Sequence, residues 1–442
     1  MDVYQKSLDL LSKYPLCDHC LGRQFALLGY AIENNVRGSA LKISLTLQAN
    51  DLAKEKSDEG VNSLKLLATN GFSKEAQSTL KHLKKRVPKA EETCFLCEGK
   101  FEQIQHLTEK AIAAVDGYEF TTFLVGIEVP ISIIEREDEF KGSFNFGYSE
   151  SIKHEFGRLI GKAFALRTGK EAEYLTPDIV ILVNPFQEKI TLQVNPLFVA
   201  GRYRKLVRTV PQSKWFCSSC HGRGCENCGG TGKLYPESVE ELSSKQLLEA
   251  TLGEDTAFHA AGREDIDARM LGTGRPFVIE ISKPKKRFVD LKEIAEQVNA
   301  DAIGKVEVSN LRFTTRDVVR RLKKGEGSQK EYRLLAEFEH EISGENLRKI
   351  ENELSGACIK QQTPLRVLHR RADLIREKYI YKVKVKKVSL KRALMEIHCQ
   401  GGLYVKELVS GDEGRTNPNV SDLLGNRAKT LKLDVLKVIM DD

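Results

Sequence analysis

The chain reads as an α+β protein of two or three domains, and three observations lead there. Helical apolar spacing dominates residues 1 to about 100, helix and strand patterns alternate from about 101 to 212, and mixed strands and helices run from about 235 to 442. With 442 residues the chain exceeds one typical core, since domains average about 150 residues. Four CxxC pairs punctuate it, of the kind that closes small metal-pinned segments.

The formal net charge is +7, with 69 Lys and Arg against 62 Asp and Glu, so basic residues matter by where they cluster. Nucleic acid is the natural partner for such clusters. The opening MDVYQKSLDLLSKYPLC has no apolar run of signal-peptide kind, and no stretch approaches about 18 consecutive apolar residues. A cytoplasmic protein with no membrane association is expected. Eight of the ten cysteines fall in the CxxC pairs, while Cys358 and Cys399 stand alone. In a cytoplasmic chain that spacing indicates metal rather than disulfides, and a thioredoxin-type redox site would need one pair, not four.

In the first hundred residues, DVYQKSLDLLSKY opens a helix on an Asp cap before Cys17 and Cys20. Neither this pair nor Cys94 and Cys97 can saturate a zinc ion alone, so one shared site is expected, with His19 and His106 as solvated bystanders. Further on, FEQIQHLTEKAIAAV reads as a helix and TTFLVGIEVP as a strand. The helix ESIKHEFGRLIGKAF places Ile152, Phe156, Leu159, Ile160 and Ala163 on one face, and strands DIVILVN and KITLQVN follow. Arg202, Arg204, Lys205 and Arg208, interleaved with Tyr203 and followed by Trp215, combine phosphate-binding cations with stacking surfaces. They are expected to bind the substrate, the alternative being a solvated basic linker. Cys217, Cys220, Cys225 and Cys228 form two consecutive CxxCxGxG units, expected to close a second, structural zinc site with His221 in reserve.

The stretch GREDIDARMLGTGR, Gly262 to Arg275, places a carboxylate beside arginines in a glycine-punctuated turn. Alone, Asp265 and Asp267 would read as turn carboxylates bonding their own backbone. Gly272-Thr-Gly274 mimics part of a dinucleotide loop, but no third glycine follows and Pro276 spoils the next helix. No Rossmann fingerprint or P-loop occurs elsewhere.

Gly262, Arg263, Glu264 and Asp265 resemble the GRxD turn of pseudouridine synthases, and HAAGREDIDARMLGTGRPFVIEI resembles the Pus-ten family, which modifies the TΨC arm of archaeal tRNA. GRYRKLVRTVPQSKW is similar to the same family, CDHCLGRQFALLGY and CFLCEGKF fall at its N-terminal zinc ligands, and residues 101 to 212 resemble a THUMP RNA-binding domain. The resemblance implies a helical zinc-binding region over 1–100, THUMP over 101–212, a zinc knuckle over 213–234 and a synthase domain over 235–442 with a mixed, mainly antiparallel sheet. It further implies that Asp265 is the nucleophile, with Arg263 beside it. Tyr332 in Lys330-x-Tyr332 would move a proton at C5, Lys406 would pair with the aspartate, and Tyr404 would touch the substrate. The implied reaction isomerises uridines 54 and 55 of tRNA with no catalytic cofactor and no obligate protein partner. The rival readings are a zinc-dependent THUMP RNA-binding protein and another tRNA-modifying enzyme, such as a methyltransferase or thiolation enzyme.

Overall fold

The computed structural model describes residues 2–89, 91–144, 147–324 and 328–439. The chain divides into two compact units, Met1–Asn195 and Pro196–Asp442. Among the described residues, no helix is long and apolar enough to cross a membrane.

The first unit begins with the helix Val3–Lys13, whose Asp2 cap accepts from the Tyr4 amide and whose Leu10 and Leu11 are buried. The helices Asp18–Gly22, Asn34–Lys54, Asp58–Thr69 and Lys74–His82 follow. A Cβ on Gly22 would sit 1.8 Å from the Asn34 carbonyl oxygen, so only glycine lets the second helix lie against the third. After the helix Ile104–Ala114 come β1 (Thr122–Ile127), the helices Ile131–Phe144 and Ile152–Thr168, β2 (Glu171–Ala172), β3 (Ile179–Asn184) and β4 (Lys189–Val194). The sheet order is β2-β1-β3-β4, with β1 parallel to β2 and β3, and β4 antiparallel to β3. The helix Ile152–Thr168 buries Ile152, Phe156, Ile160 and Phe164 together with Glu155, while the expected Leu159 and Ala163 lie at the edge of that face. One core runs from Leu10 through Phe101 to Val183, so the helical region and the α/β region share an interior and the boundary expected near 100 is not a division between compact units.

The second unit is built on one large sheet. Its strands are β5 (Leu197–Lys205), β6 (Asp255–Ala260), β7 (Ala268–Ser282), β8 (Val306–Thr314), β9 (Gln329–Phe338), β10 (Cys358–Gln362), β11 (Ile375–Ser389), β12 (Arg392–Gln400), β13 (Thr416–Asn417) and β14 (Ala428–Ile439). Their order is β13-β10-β11-β12-β9-β14-β7-β5-β8, with β6 on β7. Pairing is antiparallel except where β14 runs parallel to β7, which gives the mixed, mainly antiparallel sheet expected. Because β5 is inserted between β7 and β8, residues 196–212 belong to this unit, not to the region before it; the boundary expected at 212 moves to Pro196. On β11, Lys382, Lys384 and Lys386 face solvent while Val383 is buried, as period-two alternation requires. Tyr381 on the same strand is exposed, at a register shift of the ladder between Ile380 and Lys382.

Candidate active site

The turn between β6 and β7 carries the GRED sequence, and its shape is fixed from beneath. Glu264 has a fully buried side chain that accepts from Tyr203 Oη at 2.8 and 2.9 Å and from Arg275 Nε at 2.9 Å. Arg275 also donates through Nη1 to the Ala261 carbonyl at 2.7 Å, and Gln212 Nε2 donates to Tyr203 Oη at 2.8 Å and to the Gly262 carbonyl at 2.9 Å. A buried charge is tolerated when paired and fully hydrogen-bonded, which this cluster achieves for Glu264. Arg263, expected beside the nucleophile, is exposed and joins the cleft lining next to Trp215, its guanidinium 5.1 Å over the Trp215 ring. The buried arginine of the turn is Arg275.

Anchored this way, Asp265 projects into a cleft between two cations. Its Oδ2 lies 3.0 Å from Arg366 Nη1 and 3.2 Å from Lys406 Nζ. Burial works to raise this carboxyl, but the Arg366 and Lys406 charges outweigh it and hold the group below the usual aspartate range. Arg366 is oriented in turn by buried Glu407, with Nε to Oε1 at 2.5 Å. Nothing in the sequence around Arg366 marks it as the partner of Asp265. It sits in the turn Leu365–Arg370, far along the chain from its partner, and supplies the planar fork that Lys406 lacks. Lys406 divides its attention, since Asp267 accepts from its Nζ at 2.8 Å through both carboxylate oxygens.

The cleft encloses about 390 Å³ and is lined by Trp215, Lys330, Tyr332, Leu403, Leu433 and Val435 around Asp265, Arg366, Tyr404 and Lys406. Tyr332 stands on β9 with its ring buried, and burial raises its hydroxyl so that it stays protonated at neutral pH. Tyr404 caps the short helix Val405–Ser410; its hydroxyl accepts from Arg371 Nη1 at 3.0 Å and its amide donates to Gln361 at 2.8 Å. Leu433 and Val435 come from β14, whose apolar alternation gave no signal distinguishing a cleft wall from a core.

The basic residues of β5 do different work from the one expected. Lys205 is fully buried, and its Nζ donates to the carbonyls of Val210 at 2.9 Å and of Asp265 and Ile266 at 3.1 Å each. Burial pulls its amine down to about 8. Arg208 donates to the Asp267 carbonyl at 3.0 Å and pairs with Asp434 at 2.5 Å, while Arg202 donates to the carbonyls of Thr273, Gly274 and Val438. Arg204 pairs with Glu307. These side chains are committed to holding strands and the turn after β6, because on a strand paired along both edges Tyr203 and Lys205 face the interior. The geometry therefore corrects the expected four-residue phosphate patch.

The cysteines gather as two tetrads, Cys17, Cys20, Cys94, Cys97 and Cys217, Cys220, Cys225, Cys228, each with sulfurs within 4.8 Å of one another. Tetrahedral zinc with Zn–S bonds of about 2.3 Å places its ligand sulfurs roughly 3.8 Å apart. The pairs Cys17–Cys97 at 3.6 Å, Cys217–Cys225 at 3.8 Å and Cys225–Cys228 at 3.7 Å fit that spacing. In the second tetrad the Gly232 and Cys225 amides approach Cys228 Sγ at 3.1 and 3.2 Å, and a bridge between Phe216 and Lys233 closes the knuckle. His19 is no bystander: its Nδ1 lies 2.8 Å from buried Glu155 and its ring stacks on Phe101 at 4.7 Å. His221 stays outside the second tetrad.

Comparison with known proteins fits this arrangement. Residues 198–439 match the family model described as Pus10, C-terminal, and residues 107–184 match the Pus10 THUMP domain, archaeal. The chain is 47% identical over 439 residues to the tRNA pseudouridine synthase Pus10 of Methanocaldococcus jannaschii, covering 97% of this chain and 93% of that protein. It is 39% identical to the tRNA pseudouridine synthase Pus10 of Methanothrix thermoacetophila, covering 99% and 94%, and 38% identical to that of Pyrococcus furiosus, covering 99% and 98%. A family model spanning more than half of the chain, and relatives alignable over nearly all of it, establish that this chain belongs to the Pus10 family.

Proposed function

We propose that the cleft isomerises uridines 54 and 55 in the TΨC arm of tRNA to pseudouridine, with Asp265 as nucleophile. The observation that carries this reading is a carboxylate held ionised by Arg366 and Lys406 in a cleft with a buried tyrosine. The target base is inside the arm, so it must be flipped out, and apolar walls from Leu403, Leu433 and Val435 suit a planar base. Asp265 then adds covalently, the N1–C1′ bond breaks, the base turns, and a C5–C1′ bond forms. The C5 proton is lost and N1 gains one, and we assign Tyr332, whose hydroxyl lines the cleft and is kept protonated by burial, to relay this proton by taking one as it gives one up. The chemistry is redox-neutral and consumes no second substrate. Incubating the protein with unmodified tRNA and no nucleotide should yield pseudouridine at 54 and 55 in carbodiimide-stop mapping. Product confined to another arm would overturn the assignment of positions.

Arg366 gives this reading a pH signature. Asp265 works as the anion, and its depressed pKa keeps it ionised down to low pH. Without the guanidinium, the burial that raises the carboxyl is opposed by Lys406 alone, so the acid limb of kcat/KM should move upward. Arg366→Met with Glu407→Gln avoids leaving buried Glu407 unpaired. An acid limb in the same place would show that the arginine does not govern the nucleophile.

The two tetrads are read as structural zinc sites, since four thiolates leave no open position for a reacting water. Elemental analysis should find two zinc ions per wild-type chain. Cys94→Ala and Cys225→Ala should each lose one, and zinc-free wild-type protein would sink the assignment.

A further inference from the structure

Lys330 occupies the floor of the cleft two residues before Tyr332, on the same face of β9 and between Cys399 of β12 and Val438 of β14. Its Nζ is tucked under the catalytic turn: a Cβ on Gly262 would lie 3.1 Å from it and 3.2 Å from Arg275 Nη1. The carboxylates nearby are already taken, Glu264 by Arg275 and Tyr203, and Asp265 by Arg366 and Lys406. Lys330 forms no hydrogen bond or ion pair with the described residues. A half-buried amine without a partner costs free energy unless something supplies an acceptor. The space before it is walled by Tyr332, Leu403, Leu433 and Val435, which suits the face and edge of a base and not a phosphate. Uracil offers two carbonyl oxygens at its edge and no other acceptor of comparable strength.

We propose that Lys330 donates a hydrogen bond to a carbonyl oxygen of the flipped uracil and sets the base against Asp265. The inference rests on the reading of this cleft as the uridine site. Both charge states of the amine carry N–H groups, so the contact survives although burial, reinforced by the neighbouring Arg275 charge, draws Lys330 down to about 8.

The test uses the full-length protein under single-turnover conditions on tRNA carrying uridine, 2-thiouridine or 4-thiouridine at the target position, since sulfur accepts hydrogen bonds poorly. Lys330→Met should lower the rate on uridine roughly 10- to 100-fold, the usual worth of a hydrogen bond to a charged donor, with tRNA affinity and zinc content unchanged. One thio substitution should slow the wild type and leave Lys330→Met no slower; which one it is identifies the oxygen as O2 or O4. Loss of packing alone would leave the thio effect equal in both proteins, and that result would overturn the proposal. So would a wild type indifferent to both sulfurs, an outcome that decides the matter even if Lys330→Met does not fold. A wild type that forms no pseudouridine on ordinary uridine would instead overturn the reading of the cleft itself.

Discussion

Asp265→Asn should fold, keep its metal and bind tRNA close to wild-type affinity, yet lose pseudouridine formation by on the order of 10⁴-fold or more. The amide matches the carboxylate in shape but cannot add to uridine as an anion. Folding should survive because Arg366 keeps its second carboxylate, Glu407, and because the turn is held through the backbone carbonyls of Asp265 and Ile266 by Lys205. Asp267→Asn is the internal control. Its side chain is 67% exposed and its partner is Lys406, so losing its charge should change the rate only a few-fold. Carbodiimide-stop mapping of tRNA treated with each variant separates the two. Activity retained by Asp265→Asn and lost by Asp267→Asn would place the nucleophile two residues later.

The largest stability effect is expected at Arg275. Its side chain is 1% exposed and that of Glu264 is fully buried, so Arg275→Met strands a carboxylate in the interior. Removing one partner of a buried pair costs about 3–5 kcal/mol. For a unit of this size that should lower the melting transition by roughly 10 °C. Adding Glu264→Gln should recover much of the loss, because the stranded charge disappears while Tyr203 and Gln212 keep a polar partner. A single variant melting within 2 °C of wild type would refute the view that this pair fixes the turn.

What could be read from the sequence was what the chain keeps local. The aspartate sits in a contiguous turn, the tyrosine in a three-residue pattern on a strand, and the cysteines in pairs spaced so that four can hold one ion, so each suggests its chemistry within a few residues. Arg366 does not, since its meaning comes from a partner 101 positions away and from a short turn with no periodicity. The segment around Arg202 was misread for a different reason. Its alternation was visible, but four cations near a tyrosine and a tryptophan suggested a surface, and only pairing on both edges of β5 reveals that Tyr203 and Lys205 face inward. The same pairing shifted the unit boundary. Composition shows how many charges a strand carries, whereas burial depends on neighbours contributed from distant parts of the chain.

The position of β14 has a consequence for synthesis. Although it comes last among the described strands, it lies in the middle of the sheet, between β9 and β7. Until Ala428–Ile439 has emerged from the ribosome, β7, β5 and β8 can pair on one side and β9 through β13 on the other, but among the described residues no strand ladder joins the two sets. Until then β9 and β7 each present an open sheet edge, and the cleft beside Asp265 lacks the wall that Leu433 and Val435 supply. Closure of the sheet and completion of the cleft therefore both wait for the last described strand.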